Sequence, residues 1–174
     1  LAPDLAFLAP VADGLAAVVQ RARASVDDTG VRVHERLNGG HLAGGKGLRA
    51  AVTLLVERSL RDGPSTPAAV DCAAALEMIH GATLVHDDIL DGARVRRGFP
   101  ALYEIWGVQT AVLSGDLLLA KAFGLLTALE DPLPARVVSR TAQELCEGEI
   151  EEITWRGIVD LTVEDALGVI EAKT

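Results

Sequence analysis

The spacing of apolar residues along the chain is helical from one end to the other. Apolar side chains recur every three or four residues, and no run alternates convincingly between apolar and polar positions as a half-buried strand would. Breaks rich in Gly, Pro and Asp separate the periodic stretches. The pattern predicts helices over residues 10–25, 31–37, 48–60, 67–91, 102–106, 108–129, 135–153 and from 162 onwards.

Local signals fix two of the helix starts. Thr66 followed by Pro67 is typical of an N-cap and a first helical residue, so the long central helix is predicted to begin there. Thr162 and Asp165 have the spacing of a capping box. Residues 39–47 and 92–100 are predicted to be loops. The sequence therefore predicts an all-α orthogonal bundle, in a single domain over residues 1–174.

Composition narrows the range of partners. The chain is 49% hydrophobic with a formal net charge of −9, which allows a sizeable core and argues against nucleic acid as a partner. Cys72 and Cys146 lie in helical patterns without metal-ligand spacing, and both are predicted to be reduced core residues. No run of about 18 uncharged apolar residues and no signal-peptide pattern is present. We therefore expect no transmembrane segment and a cytoplasmic location.

Three carboxylates lie close together near the end of the central helix. At about 100° per residue, Asp87 and Asp91 lie within about 40° of each other, and Asp88 lies about 100° from Asp87. His80 and Thr83 fall on the same stripe as Asp87. A helix C-terminus is already partly negative, so three anions there need a positive partner, and hard oxygen ligands suit Mg²⁺. A solvated acidic helix end explains the string equally well when it is taken alone.

Two basic elements flank this helix. Arg96-Arg97-Gly98 follows it, and Gly44-Gly45-Lys46-Gly47-Leu48-Arg49 precedes it. Guanidinium groups bind phosphate oxygens bidentately, and Mg²⁺ bridges carboxylates to phosphate. The upstream glycines allow backbone N–H groups to approach an anion, although the spacing is not that of a Walker loop. Together the three elements predict two phosphate sites that face each other.

The order of these motifs resembles the trans-isoprenyl diphosphate synthases, also called polyprenyl synthetases. The matching strings are G-G-K-x-L-R from Gly44, E-x-I-H-x-x-x-L-x-H-D-D-x-x-D from Glu77, and R-R-G-x-P from Arg96, with further matches at Gly115-Asp116, Glu147-Gly148-Glu149 and Lys173-Thr174. The resemblance implies an all-α bundle of the isoprenoid synthase type. It also implies a Mg²⁺-dependent prenyltransferase that condenses isopentenyl diphosphate with an allylic diphosphate in trans, and a homodimer.

The resemblance also implies residue roles. Asp87 and Asp91 are expected to ligate Mg²⁺, with Asp88 supporting the cluster. Arg96, Lys173 and Thr174 are expected at the allylic diphosphate, where Lys173 joins the three aspartates as a catalytic residue. Isopentenyl diphosphate is expected to be bound by Lys46, Arg49, His80 and Arg97. A core histidine bonded to backbone is the alternative for His80, and His86, off the stripe, is predicted to be structural.

Product length is predicted from the residues just before the Asp cluster. Ala82 and Thr83 are small, whereas family members that stop at fifteen carbons usually have bulky aromatic residues there. The hydrocarbon tunnel is therefore expected to continue at least another turn, with Ile79 and Leu76 as candidates for its floor. This predicts a product of twenty carbons or longer, with geranylgeranyl diphosphate as the single best expectation.

The chain departs from the family pattern in several places. Ala50 replaces a usual Pro, and Gly92 stands where an acidic residue is common. The family implies a second Asp-rich motif, but none follows Asp91, and the chain has no initiator Met. We expect it to be incomplete at the C-terminus, with weak or absent turnover as a 174-residue polypeptide.

Two other functions remain open. A class I terpene cyclase also uses an Asp-rich Mg²⁺ site, but it does not need the isopentenyl diphosphate pocket that Lys46, Arg49 and Arg97 would form. A non-catalytic subunit of a heteromeric synthase would tolerate the loss of Asp87 and Asp91, yet both are present.

Overall fold

A computed structural model describes residues 8–27 and 47–173, with side chains as far as Glu171. After a short 3₁₀ turn at residues 8–11, the elements are α1 (Ala12–Asp27), α2 (Leu48–Leu60), α3 (Pro67–Leu90), β1 (Val95–Arg96), β2 (Phe99–Pro100), α4 (Leu102–Trp106), α5 (Val108–Thr127), α6 (Leu133–Trp155) and α7 (Val163–Lys173). The two strands pair antiparallel and have two residues each. The predicted all-α class is confirmed.

The chain forms two compact units. Residues Leu1–Glu130 include α1 to α5 and the strand pair, and residues Asp131–Thr174 include α6 and α7. The candidate site residues whose side chains the structure describes all lie in the first unit. A single domain over residues 1–174 stays a prediction.

The local start signals are confirmed by hydrogen bonds. The Thr66 side chain accepts the N–H of Ala69 at 3.2 Å, and Pro67 is the first residue of α3. At the start of α7, Asp165 Oδ2 accepts the backbone N–H of Thr162 at 2.9 Å and its hydroxyl at 2.6 Å, while Thr162 Oγ1 accepts the Asp165 N–H at 3.2 Å. Both α3 and α7 therefore start where a side chain satisfies otherwise unpaired N–H groups.

The other boundaries differ from the prediction by a few residues. The bounds of α2 and α4 agree with it, whereas α1 starts and ends two residues later, α5 stops at Thr127, and α6 extends two residues further at each end. The predicted helix at 31–37 and nearly all of the predicted loop at 39–47 lie outside the described residues. Frayed ends account for differences of this size.

Helix α3 is the centre of the first unit. It packs against α1 and α2 and, over the longest contact, against α5. Small buried residues on α3, including Ala74, Ala75 and Ala82, allow neighbouring helices to approach closely. On α5, Gly115 lies against the imidazole of His86, whose Nε2 is 3.1 Å from the Val112 carbonyl oxygen. His86 therefore has the structural role that the sequence predicted.

Both α3 and α5 are long and apolar enough to cross a membrane by length and composition. Core helices of the same composition satisfy this criterion, and these two helices pack against each other in the first unit. The observation is therefore weak evidence for a membrane location.

One cysteine prediction needs correction. Cys72 is half-buried, and burial together with nearby Asp71 raises the pKa of its thiol. Cys146 is exposed, so its prediction as a core residue was wrong. The polar and charged neighbours of Cys146 on α6, such as Gln143 and Glu147, give that helix a wide hydrophilic surface.

Two glycines of α5 test the packing. A methyl group at Gly115 would overlap the His86 ring, whereas one at Gly124 meets nothing within 4 Å. We expect Gly115→Ala to lower the free energy of unfolding by about 1–3 kcal/mol through overpacking. Gly124→Ala is expected to raise it by about 0.5–1 kcal/mol, since Ala favours the helix. Urea denaturation measures both, and equal effects of the two substitutions would contradict the packing.

Candidate functional site

The chain reverses direction immediately after α3. The Ala93 N–H donates to the Asp88 carbonyl at 2.9 Å, and the Gly92 N–H donates to the Ile89 carbonyl at 3.3 Å, which is the Schellman pattern of helix termination. Gly92 has φ +64°, a conformation that side-chain-bearing residues rarely adopt. A glycine at this position, rather than the acidic residue common in the family, thus turns the basic segment back towards α3.

The segment predicted as a basic loop forms a small hairpin. Val95 pairs with Pro100 and Arg96 with Phe99, so Arg97 and Gly98 are the two turn residues. Both have positive φ, 54° and 84°, as a type I′ turn requires. Among the residues that the structure describes, Arg97 is the only non-glycine with positive φ. Such strain is tolerated where the surroundings enforce it and is frequent at functional sites.

Asp88 holds the hairpin against α3. Its Oδ1 accepts the Nε–H of Arg96 at 2.7 Å and lies 2.6 Å from Nη2 of the same guanidinium, and only 1% of Asp88 is exposed. Burying a carboxylate without a partner costs several kcal/mol, so the ion pair strongly favours this position of Arg96. A guanidinium has five N–H donors, so donors beyond those used by Asp88 remain for an anion.

The expected convergence of three carboxylates is therefore not found. Within residues 8–27 and 47–173, no three His, Cys, Asp or Glu side chains lie close enough together to hold a metal ion. Asp88 turns towards the protein interior, where it binds Arg96. The role predicted for Asp88 at the metal cluster stays a prediction.

Asp87 and Asp91 remain the metal candidates. They lie one helical turn apart, linked by the Asp91 N–H to Asp87 carbonyl bond of 2.8 Å, with Asp87 half-buried and Asp91 exposed. Mg²⁺ is commonly bound by one or two carboxylates, with water and substrate phosphates completing the octahedron. The two carboxylates fit such an ion, held from one side.

Three arginines affect the titration of His80. Burial lowers the pKa of its imidazole, and the positive charge of Arg49 lowers it further, followed by Arg97 and Arg96, while Glu77 acts in the opposite direction. The positive charges of Arg49 on α2 and of both hairpin arginines thus act on one half-buried histidine. At neutral pH His80 is uncharged, and its ring can donate one hydrogen bond to an anion.

Three predicted ligands cannot be placed. Lys46 and Thr174 lie outside the described residues, and the side chain of Lys173 does as well. Their predicted roles stay predictions.

The residues predicted to set product length separate into two groups. Leu76, Ile79 and Thr83 are half-buried and lie on the same side of α3 as Asp87, within about 80° of it. Ala82 is fully buried on the opposite side. A hydrocarbon tail that extends from Asp87 along this side of α3 would contact the first three residues and miss Ala82.

A small cleft beside the ion pair was not predicted. Its lining combines apolar side chains with the ends of the charged ones and consists of Gly81, Leu84, Val85, Asp88, Arg96, Arg97 and Phe99. The sequence feature that could have indicated this cleft is Phe99. It occupies the x position of R-R-G-x-P and had no assigned role.

We define the basic cluster as His80 with Arg49, Arg96 and Arg97. The titration of His80 tests it. Arg49→Ala removes a positive charge near the ring, so the pKa of His80 is expected to rise towards its ordinary value. Arg94→Ala provides the control, since Arg94 is exposed, lies 3.7 Å from Glu104 and is not among the charges with the largest effects on the pKa of His80. NMR of the imidazole Cε1–H as a function of pH measures both variants. An unchanged His80 titration in Arg49→Ala would show that the cluster does not form.

Comparison with known proteins gives the family. Residues 33–174 match the model of the polyprenyl synthetase family. A geranylgeranyl diphosphate synthase of Methanosarcina mazei is 38% identical over 76% of this chain and 42% of the relative. An all-trans-nonaprenyl-diphosphate synthase of Rhodobacter capsulatus is 36% identical over 97% of this chain and 51% of the relative.

A solved structure shows the same fold. The crystal structure of a polyprenyl synthase from Caulobacter crescentus, complexed with calcium and isoprenyl diphosphate, superposes with a TM-score of 0.84 at 33% identity, covering 96% of this chain and 51% of that one. The chain thus spans about half the length of the relatives it matches. The chain belongs to the polyprenyl synthetase family.

Proposed function

We propose that the full-length protein is a Mg²⁺-dependent prenyltransferase that condenses isopentenyl diphosphate with an allylic diphosphate in trans. The observation that carries the proposal is the arrangement along α3. His80 with its arginines and the Asp87–Asp91 pair lie on one side of the same helix, about 10 Å apart along its axis. Two diphosphates held there would bring their hydrocarbon parts together over the helix.

Asp87 and Asp91 would hold the Mg²⁺. Bound there, the ion supplies Lewis-acid stabilisation for the oxygens of a departing diphosphate. The solved relative described with calcium and isoprenyl diphosphate supports a divalent cation in this family.

Arg96 would bind the allylic diphosphate. Its orientation is fixed in advance by Asp88, so little reorganisation accompanies the build-up of charge on the leaving group. Lys173 and Thr174 would bind the same group. The role of these residues is to neutralise charge in an apolar cavity, where diphosphate is otherwise a poor leaving group.

Isopentenyl diphosphate would be bound by Arg49, His80 and Arg97, together with Lys46. Three of these groups are cationic, and the neutral His80 adds a hydrogen-bond donor. Holding the double bond near the allylic carbon replaces a bimolecular encounter with a local one. The proton lost at the end passes to the released diphosphate, so no protein side chain acts as a general base.

The product would have twenty carbons or more, with geranylgeranyl diphosphate as the single best proposal. Thr83 is small, and Ile79 and Leu76 follow it on the same side of α3. The names of the relatives, geranylgeranyl and nonaprenyl diphosphate synthase, cover this range of lengths. A homodimer and a cytoplasmic location are proposed from the family resemblance and, for the location, from the two free thiols.

The deciding assay incubates the full-length gene product with isopentenyl diphosphate, allylic primers of several lengths and Mg²⁺, and then sizes the products. We expect a linear all-trans product. Asp87→Asn combined with Asp91→Asn is expected to lower kcat by at least about 100-fold, since these groups stabilise charge that develops in the transition state. Asp71→Asn is the matched control, because Asp71 is on the same helix but pairs with Arg21.

Three outcomes would contradict the proposal. A cyclised product would indicate a terpene cyclase. Binding without turnover would indicate a non-catalytic subunit of a heteromeric synthase. Equal activity in the double variant and in Asp71→Asn would remove the two carboxylates from the mechanism.

Product length has its own test. Thr83→Phe would place an aromatic ring one turn before Asp87, so we expect products shorter by at least one five-carbon unit. Thr127→Phe, at the exposed end of α5, is the control and is expected to leave the product distribution unchanged. Unchanged products in Thr83→Phe, measured by chromatography against standards, would show that the limit lies elsewhere.

A further inference from the structure

Helix α2 starts without a cap of its own. Its N-cap residue, Gly47, has a left-handed backbone and no side chain to accept a hydrogen bond from the first turn. The Ala50 N–H donates instead to Oε1 of Glu77, at 3.0 Å, across from α2 to α3. Ala50 is the third residue of α2, and its N–H is one that an N-cap side chain ordinarily satisfies.

This cap depends on a departure from the family pattern. Ala50 stands where the family usually has Pro, which has no N–H to donate. Ala50 is also almost fully buried, so its N–H would lack water if Glu77 were removed. The contact is therefore a feature of this chain's own sequence.

The cap joins the two helices at the basic cluster. Arg49 directly precedes Ala50 on α2, and His80 lies one turn after Glu77 on α3. A bond from Ala50 to Glu77 thus fixes the backbone beside Arg49 relative to the helix that presents His80. Its loss would free the first turn of α2.

We propose that Glu77 is a positioning residue that holds the first turn of α2, so that Arg49 reaches the same anion as His80. The inference rests on the proposed function, with isopentenyl diphosphate as that anion. The inference gives a role to Glu77, the glutamate of the E-x-I-H motif. Glu77 has no part in the proposed condensation.

The opposite end of the same helix pair provides a control. Glu57, on α2, accepts the Thr66 N–H at 2.9 Å and the Thr66 hydroxyl at 2.6 Å, which links α2 to the start of α3. Glu57 and Glu77 thus make the same kind of link between the same helices. Seven residues of α2, about 10 Å, separate Glu57 from Ala50, so only Glu77 lies at the basic cluster.

The experiment compares Glu77→Ala, Glu77→Gln and Glu57→Ala in the full-length gene product. Glu77→Ala is expected to raise the KM for isopentenyl diphosphate about fivefold, the equivalent of one lost helix cap, without changing the KM for the allylic primer. Glu77→Gln keeps an oxygen acceptor and is expected to stay within about twofold of the wild type. Glu57→Ala is expected to lower stability and leave both KM values unchanged.

The sign of the effect separates positioning from charge. Removing a carboxylate next to an anion site would by itself tighten the binding of an anion. Unchanged or tighter binding of isopentenyl diphosphate in Glu77→Ala would therefore overturn the inference. Equal impairment of Glu77→Gln and Glu77→Ala would also overturn it, since the charge rather than the cap would then matter.

Hydrogen exchange of the Ala50 amide keeps this test separate from the proposed function. We expect faster exchange in Glu77→Ala than in Glu57→Ala or the wild type, whether or not the protein condenses prenyl substrates. A wild type without isopentenyl diphosphate binding would contradict the proposed function. An unchanged Ala50 exchange rate in Glu77→Ala would contradict the cap.

Discussion

The ion pair between Asp88 and Arg96 determines how the two sequence motifs of the candidate site meet. Asp88 is the second carboxylate of the Asp-rich helix end, and Arg96 is the first arginine of the hairpin that follows. Because Asp88 is almost fully buried, its charge requires a close partner, and Arg96 provides an Nε–H hydrogen bond and a guanidinium charge within 2.7 Å. Gly92 allows the pair to form by reversing the chain within one turn of the helix end.

Helix α3, which carries Asp88, organises the rest of the site. It packs against α5, its buried side carries small residues, and its other side carries Thr83, His80 and Asp87 in series. Carboxylates at each end of the α2–α3 pair, Glu57 and Glu77, bind backbone N–H groups of the opposite helix. Hydrogen bonds to Thr66, together with Arg61, outweigh the effect of burial and lower the pKa of Glu57. The stability that Glu57 contributes is therefore complete above its ordinary pKa and is lost as the pH falls through the lowered value.

Much of the fold followed from local sequence signals. Thr66 and Thr162 mark helix starts through hydrogen bonds to residues three positions away, and Pro67 marks one through its fixed φ, so these starts can be located from the sequence. The directions of the Asp88 and Ala82 side chains were harder to predict, because they depend on which neighbouring helix covers α3. A helical wheel gives angles around one helix, and only packing decides which angle is interior. The angles alone place Asp88 near Asp87 and Asp91, and the packing adds that Asp88 and Ala82 are buried.

The hairpin could not be predicted from the residue preferences of β-turns, since Arg is unusual at the first position of a type I′ turn. The most direct test of the account is a double-mutant cycle with Asp88→Asn, Arg96→Gln and the double variant, measured as free energies of unfolding. We predict a coupling energy of about 1–3 kcal/mol and Mg²⁺ affinity in Asp88→Asn close to that of the wild type. Additive effects, together with loss of Mg²⁺ affinity in Asp88→Asn equal to that in Asp87→Asn, would contradict the assignment of Asp88 to Arg96.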